Sequence, residues 1–345
     1  MYLTGILSLF FCIIFFYTLG NRLDDSVYFQ KVWIWYKESD LGMDKYKNAT
    51  DPFQFLNGYF FQNHLYFFKN GKKEKSADYL YEVPPFGKGF LQYQKSGNEV
   101  EFFSATGEIL WKKTINSYPK SSMDSGNILF TSGDNNLVLI TDGSGNELKK
   151  IGGRFLTDFS FSKNNILLVF SGGEVYLLGK DGKLEKDLSF ATDNLVFLKS
   201  SAISPSGVCY GIHLLQDKTD KIVVYKKGNQ EYEILLDKVY PHKIYFALND
   251  SCELAVNLQK KIQIYDNDGD SVFSRDKKSG PIYQVAETTG NIFIISDNTE
   301  MLLLDAKFGM LETEKINSYP WRVLTISEQE FFVETTDEII QFSRL

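Results

Sequence analysis

The side chains best suited to acid–base or metal chemistry in this 345-residue chain are its three histidines, His64, His213 and His242. They lie far apart and no two stand at metal-ligand spacing, so a zinc-type site is not expected and structural or surface roles are. Asp266-Asn267-Asp268-Gly269-Asp270 has the alternating carboxylates of a calcium loop, but it lacks the distal glutamate in helical context, and Gly269 suits a tight turn. No Gly-x-Ser-x-Gly elbow and no phosphate-binding glycine loop occurs. The 44 acidic residues are spread over turns and polar strands, and nothing singles out an acid–base pair among them. Cys209 and Cys252 fall in corresponding parts of successive repeats. They are one position out of phase, which would turn them to opposite faces of a sheet, so no bridge is expected. The reading is therefore of a chain that is not an enzyme and holds no cofactor or metal.

The elements that would position any site are repeats. Ile115-Asn116-Ser117-Tyr118-Pro119 returns as Ile316-Asn317-Ser318-Tyr319-Pro320, 201 residues later. That spacing is five units of about 40 residues, the size of one propeller blade or solenoid turn. Each unit reads as short apolar strand, turn, strand, glycine turn, then a polar strand, as in Asn165-Ile166-Leu167-Leu168, Val175-Tyr176-Leu177-Leu178 and Asp181-Gly182. Glycines 71, 107, 143, 182, 228, 269 and 309 mark the second turn of seven such units, and prolines 84, 119, 241, 281 and 320 mark the joins. Proline cannot donate to a central ladder, so it belongs between units. After Pro320 only three strands remain, and the aromatic strand around Trp33 to Lys37 can supply the fourth. The expectation is an all-β propeller of eight four-stranded blades, with seven as the alternative, closed by pairing of the two chain ends.

Ser104-Ala105-Thr106-Gly107-Glu108-Ile109-Leu110-Trp111 resembles the repeat signature of pyrroloquinoline-quinone-type propellers, in which an Ala-x-Thr-Gly turn leads into a strand carrying a docking tryptophan. A degraded copy is Asp305-Ala306-Lys307-Phe308-Gly309. Within that superfamily the chain is similar to the smaller non-enzymatic members, such as the lipoprotein of the outer-membrane barrel-assembly machinery. It lacks the length and the adjacent cysteines of the quinone dehydrogenases. The resemblance implies a scaffold without a cofactor.

Residues 1–21 carry no charge and Tyr2 to Gly20 is almost wholly apolar, long enough as a helix to cross about 30 Å of hydrocarbon. With no basic n-region, an uncleaved N-terminal anchor is expected ahead of a cleaved signal. Cys12 follows the bulky Phe10-Phe11, which suits a lipidation site poorly. The division is then an anchor or signal helix over 1–21, a closing strand and connector over 22–52, and propeller repeats over 53–345. A formal charge of −7 argues against nucleic acid, whose binders need clustered lysine or arginine, and the one basic run, Lys69 to Lys75, reads as a solvated hairpin tip.

Function is expected at the loops joining units: Tyr118-Pro119, Tyr240-Pro241 and Tyr319-Pro320-Trp321. They all open on one face, and rigid tyrosine and tryptophan anchors suit protein docking, so Tyr118, Pro119, Tyr240, Tyr319 and Trp321 are the candidate interaction residues. The alternative is that each tyrosine covers the gap between neighbouring blades. The functional expectation is a membrane-anchored, extracytoplasmic or periplasmic propeller that scaffolds envelope or membrane proteins. The alternative is a small-ligand receptor or enzyme with its site at the mouth of the central channel.

Overall fold

The computed structural model describes residues 29–36, 44–45, 58–61, 64–67 and 71–74, and residues 78–344 with short interruptions at 85, 125, 191–195, 278–285, 298–299, 308, 317–319, 328 and 336. The expected N-terminal helix over 1–21 lies outside the described residues. Among those described, no helix is long and apolar enough to cross a membrane.

The chain is all-β and its strands form eight antiparallel sheets among the described residues. We letter them in chain order as A (58–74), B (80–114), C (118–152), D (156–187), E (196–235), F (245–276), G (286–315) and H (320–344). Sheets B to G are four-stranded meanders and A has three strands. Sheet H takes its fourth strand from the other end of the chain: Phe29–Tyr36 runs antiparallel to Glu338–Arg344, from Phe29↔Arg344 to Tyr36↔Glu338. The two residues Asp44–Lys45 extend that sheet at its edge.

The strand sequences dictate the radial order. Asn165–Phe170, the second strand of sheet D, is apolar after its first residue and buried throughout, because a middle strand is covered on both faces by neighbouring sheets. Leu184–Asp187, the fourth strand, is exposed at every position and polar after its first residue, as suits a rim strand. The apolar cores lie between successive sheets. One joins C to D through Ile140, Leu156 and Phe170, the next joins D to E through Leu177, Leu198 and Tyr210, and the next joins E to F through Ile222, Tyr232 and Phe246. Phe29 and Ile34 complete the core between G and H with Ile294, Phe331 and Phe342. Packing face to face around a ring is the propeller arrangement.

The tryptophan of the sequence signature docks on the next sheet. Trp111 Nε1 donates to the Gly143 carbonyl at 3.0 Å, and the ring covers the backbone of Gly145, where a Cβ would stand 3.0 Å from it. Gly145 has φ +83°, so the left-handed residue of this turn is Gly145 and the glycine ruler is corrected from 143 to 145. Asp142 holds this turn, since its carboxylate accepts from the backbone N–H of Ser144 and Asn146 while the Gly145 N–H donates to its carbonyl, the same bond that Gly107 and Gly182 make in their turns. Asp266 does the same with Asp268 and Asp270, which makes that acidic run a hairpin turn.

Cys209 and Cys252 form a disulfide, with Cα atoms 5.4 Å apart, joining sheets E and F. This overturns the expectation of no bridge. Parity along a strand did not apply, because Cys252 sits in the turn between the first two strands of sheet F with φ +67°. The bridge closes a loop of 43 residues. Reduction is expected to cost about 2–4 kcal/mol, read as a fall in the urea midpoint on adding dithiothreitol; a Cys209→Ala, Cys252→Ala variant should show the same fall and no response to reductant.

Candidate functional site in the axial channel

The first strands of successive sheets face the ring axis, and their side chains form the channel wall. A cavity of about 310 Å³ lies against the first strands of D, E and F, lined among others by Asp158, Ser160, Ser201, Lys243 and Tyr245. It shares Phe161 and Ile203 with a wider cavity of about 520 Å³ at one end of the channel. That end is built from first-to-second-strand turns and carries Asp124, Lys163, Lys180 and Asp250. Burial alone would raise the Asp124 carboxyl. Hydrogen bonds from Gly126 N–H and Ser122 Oγ, with the Lys180 charge, outweigh it and hold the group below the usual carboxylate range.

At the opposite end stand Phe155, Phe197 and Tyr245, each at the start of the first strand of three consecutive sheets and 50%, 48% and 39% exposed. Phe155 and Phe197 occupy equivalent positions on neighbouring repeats and Tyr245 stands at the level of Asp158 and Ser200; left open to solvent, the three give that end an apolar collar. Asp158 sits three residues beyond Phe155. Its Oδ2 accepts from Ser201 N–H at 2.8 Å, and its Oδ1 lies 3.7 Å from Lys243 Nζ. Burial raises the Asp158 carboxyl above its ordinary value despite Lys243 and the Ser201 bond.

A second polar cluster is sealed inside sheet E. Ser200 Oγ is 3.3 Å from His213 Nδ1, and His213 Nε2 is 3.4 Å from Asp220 Oδ2. Lys199 Nζ bonds both Asp220 oxygens at 2.6 and 2.8 Å and the Tyr240 carbonyl at 2.7 Å, while Tyr240 N–H donates to Asp220 at 2.6 Å. The order Ser-His-Asp is that of a hydrolytic triad, but the surroundings are not. His213 and Asp220 are wholly buried, and Ser200 donates to the Ile244 carbonyl at 3.1 Å. Burial lowers the His213 pKa to about 4, ahead of the opposing Asp220 charge, so the ring is neutral at pH 7. Ser200 itself is buried. The cluster instead pins the connector 236–244 between sheets E and F.

The residues expected to bind partners are used differently from one another. Tyr118 is half-buried; its hydroxyl donates to the Lys95 carbonyl at 3.0 Å and its ring meets Tyr93 edge-on at 6.1 Å, so it closes the gap between sheets B and C. Pro119 is buried. Tyr240 is buried in the core between E and F, with its hydroxyl on Asp237 at 2.9 Å. Trp321 lies in the first strand of sheet H, and Tyr319 lies outside the described residues. His242 is exposed, and His64 begins a strand of sheet A. Among the described residues no cluster of three or more metal-ligating side chains occurs. Sequence reasoning missed Phe155, Phe197, Tyr245 and Asp158. The one available signal was an aromatic recurring near the start of a repeat, and core aromatics give the same signal.

No protein-family model matches the chain, and no curated protein matches it by sequence. Solved structures do match. BamB from Moraxella catarrhalis superposes with a TM-score of 0.59 at 9% identity, over 92% of this chain and 98% of that one. The fold is that of a BamB-like β-propeller. The Dos1 propeller superposes with a TM-score of 0.52 at 11% identity, over 74% of this chain and 75% of its own. The likeness to BamB runs nearly end to end in both chains.

Proposed function

We propose that this chain is a membrane-tethered, extracytoplasmic propeller of eight blades that acts as a protein-interaction scaffold in a cell-envelope assembly, and that it is not an enzyme. The observation that carries the reading is the collar of Phe155, Phe197 and Tyr245. Aromatic side chains left open to solvent are costly in water and suit an interface core. We include Tyr319 and Trp321, which the sequence puts at the join before sheet H, in the same face. The buried Cys209–Cys252 bridge supports an oxidising compartment. The likeness to BamB supports a propeller that works through partners. The apolar segment 1–21 supplies the tether in this reading, and the partners are envelope or membrane proteins.

A second reading, a small-ligand receptor, rests on the polar cavity of about 520 Å³ at the other mouth. Crosslinking from native membranes separates the two. Intact protein should capture a partner that a folded Phe155→Ser, Phe197→Ser, Tyr245→Ser variant loses. A partner retained by the variant would move the interface elsewhere, and an empty capture would favour the receptor.

A further inference from the structure

We infer that the channel wall between sheets D, E and F receives a cationic side chain, the lysine or arginine of a partner polypeptide, with Asp158 as its counter-charge. This deepens the scaffold reading and rests on it.

Two acidic groups in neighbouring sheets make the contrast. Asp220 is fully compensated, with Lys199 on both oxygens at 2.6 and 2.8 Å and a backbone N–H besides. Asp158 has a side chain only 16% exposed, yet the cation beside it in the channel, Lys243 Nζ, stands 3.7 Å away on a side chain that is half-exposed. A charge-assisted bond closes to about 2.7–2.9 Å, so Oδ1 faces the cavity with its charge incompletely met. Desolvation dominates at this carboxyl and raises it, the direction expected of an anion short of partners.

The surroundings select the occupant. The Tyr245 ring offers a π face beside the carboxylate, and Lys243 Nζ already lies 5.6 Å from its centroid, which marks where a cation rests. Ser160 and Ser201 add hydroxyls to the same wall. Phe155 and Phe197 precede Asp158 and Ser201 on their strands, so an apolar collar leads to a buried anion. An aliphatic stem ending in a positive head matches that order of surfaces. The formal charge of −7 favours cationic partners at long range as well.

The test uses the full chain at pH 8 and two fluorescent probes, the amidated peptides Phe-Leu-Arg-Leu-Phe and the same sequence with citrulline, an uncharged isostere, in place of arginine. The arginine peptide should bind at least tenfold more tightly by anisotropy. Asp158→Asn, which can keep the Ser201 bond, should reduce it to the citrulline level. Lys243→Met removes the resident competitor and should tighten it several-fold. Equal binding of the two peptides, no binding of either at millimolar protein, or indifference to both substitutions overturns the inference. Spermidine displacing the arginine peptide at concentrations well below those at which the unlabelled peptide displaces it would also overturn it, in favour of a small polyamine. Should Asp158→Asn retain the membrane partner that the collar variant loses, the scaffold reading stands and the cation site falls.

Discussion

Deleting residues 1–36 is expected to lower stability by roughly 5–8 kcal/mol, the largest single loss available in this fold. The strand Phe29–Tyr36 buries Phe29, Val32 and Ile34, and each such side chain contributes about 1.5–3 kcal/mol. Its removal also leaves the Glu338–Arg344 strand without a ladder along one edge. A urea titration of the deleted protein against one lacking only residues 1–21 checks this. The shorter deletion should keep the parental midpoint, and the longer should move it to much lower urea and promote aggregation. Identical midpoints would mean that the strand adds nothing to the ring.

Asp220→Ala is expected to cost about 3 kcal/mol, because it strands the largely buried Lys199 ammonium and the buried Tyr240 N–H. The same cluster gives the protein a pH dependence. His213 titrates near 4 in the folded chain and near 6.5 when unfolded. The unfolded chain therefore binds the proton first, and the stability held above pH 6.5 is lost as pH falls through the interval to 4. The total is about 3 kcal/mol. His213→Gln should flatten that part of the urea-midpoint profile; an unchanged slope in the variant would place its origin elsewhere.

Much of the architecture was legible because it is periodic. Apolar middle strands such as Asn165–Phe170 alternate with polar rim strands such as Leu184–Asp187, and glycine turns such as Gly107, Gly182 and Gly269 keep time between them. Local backbone chemistry was harder to read. Of the two glycines in the 142–146 turn the second, Gly145, is the left-handed one, and a left-handed Cys252 escaped the alternation of strands. The channel was harder still. Register shifts between Leu156 and Asp158 and between Leu198 and Ser200 break the two-residue period in the strands that line it. Which side chain faces the axis therefore does not follow from counting. Tyr118 and Tyr240 were correctly assigned to the joins, but their rings fill the seams there, while aromatics beginning the neighbouring strands remain outside.

The strand partners of sheet H are separated by about 300 residues of chain, and this sets an order of events. Phe29–Tyr36 is made first, and its partner Glu338–Arg344 follows about 300 residues later. Closing a loop of that length costs on the order of 5 kcal/mol of chain entropy, so the neighbouring sheets must first bring the ends together. Until then the early strand travels as an apolar segment with an open edge, and a nascent or truncated chain has every opportunity to pair with another copy. Once closed, the ring holds Phe29 beside Arg344. A reporter attached at Arg344 therefore reports on the surroundings of Phe29.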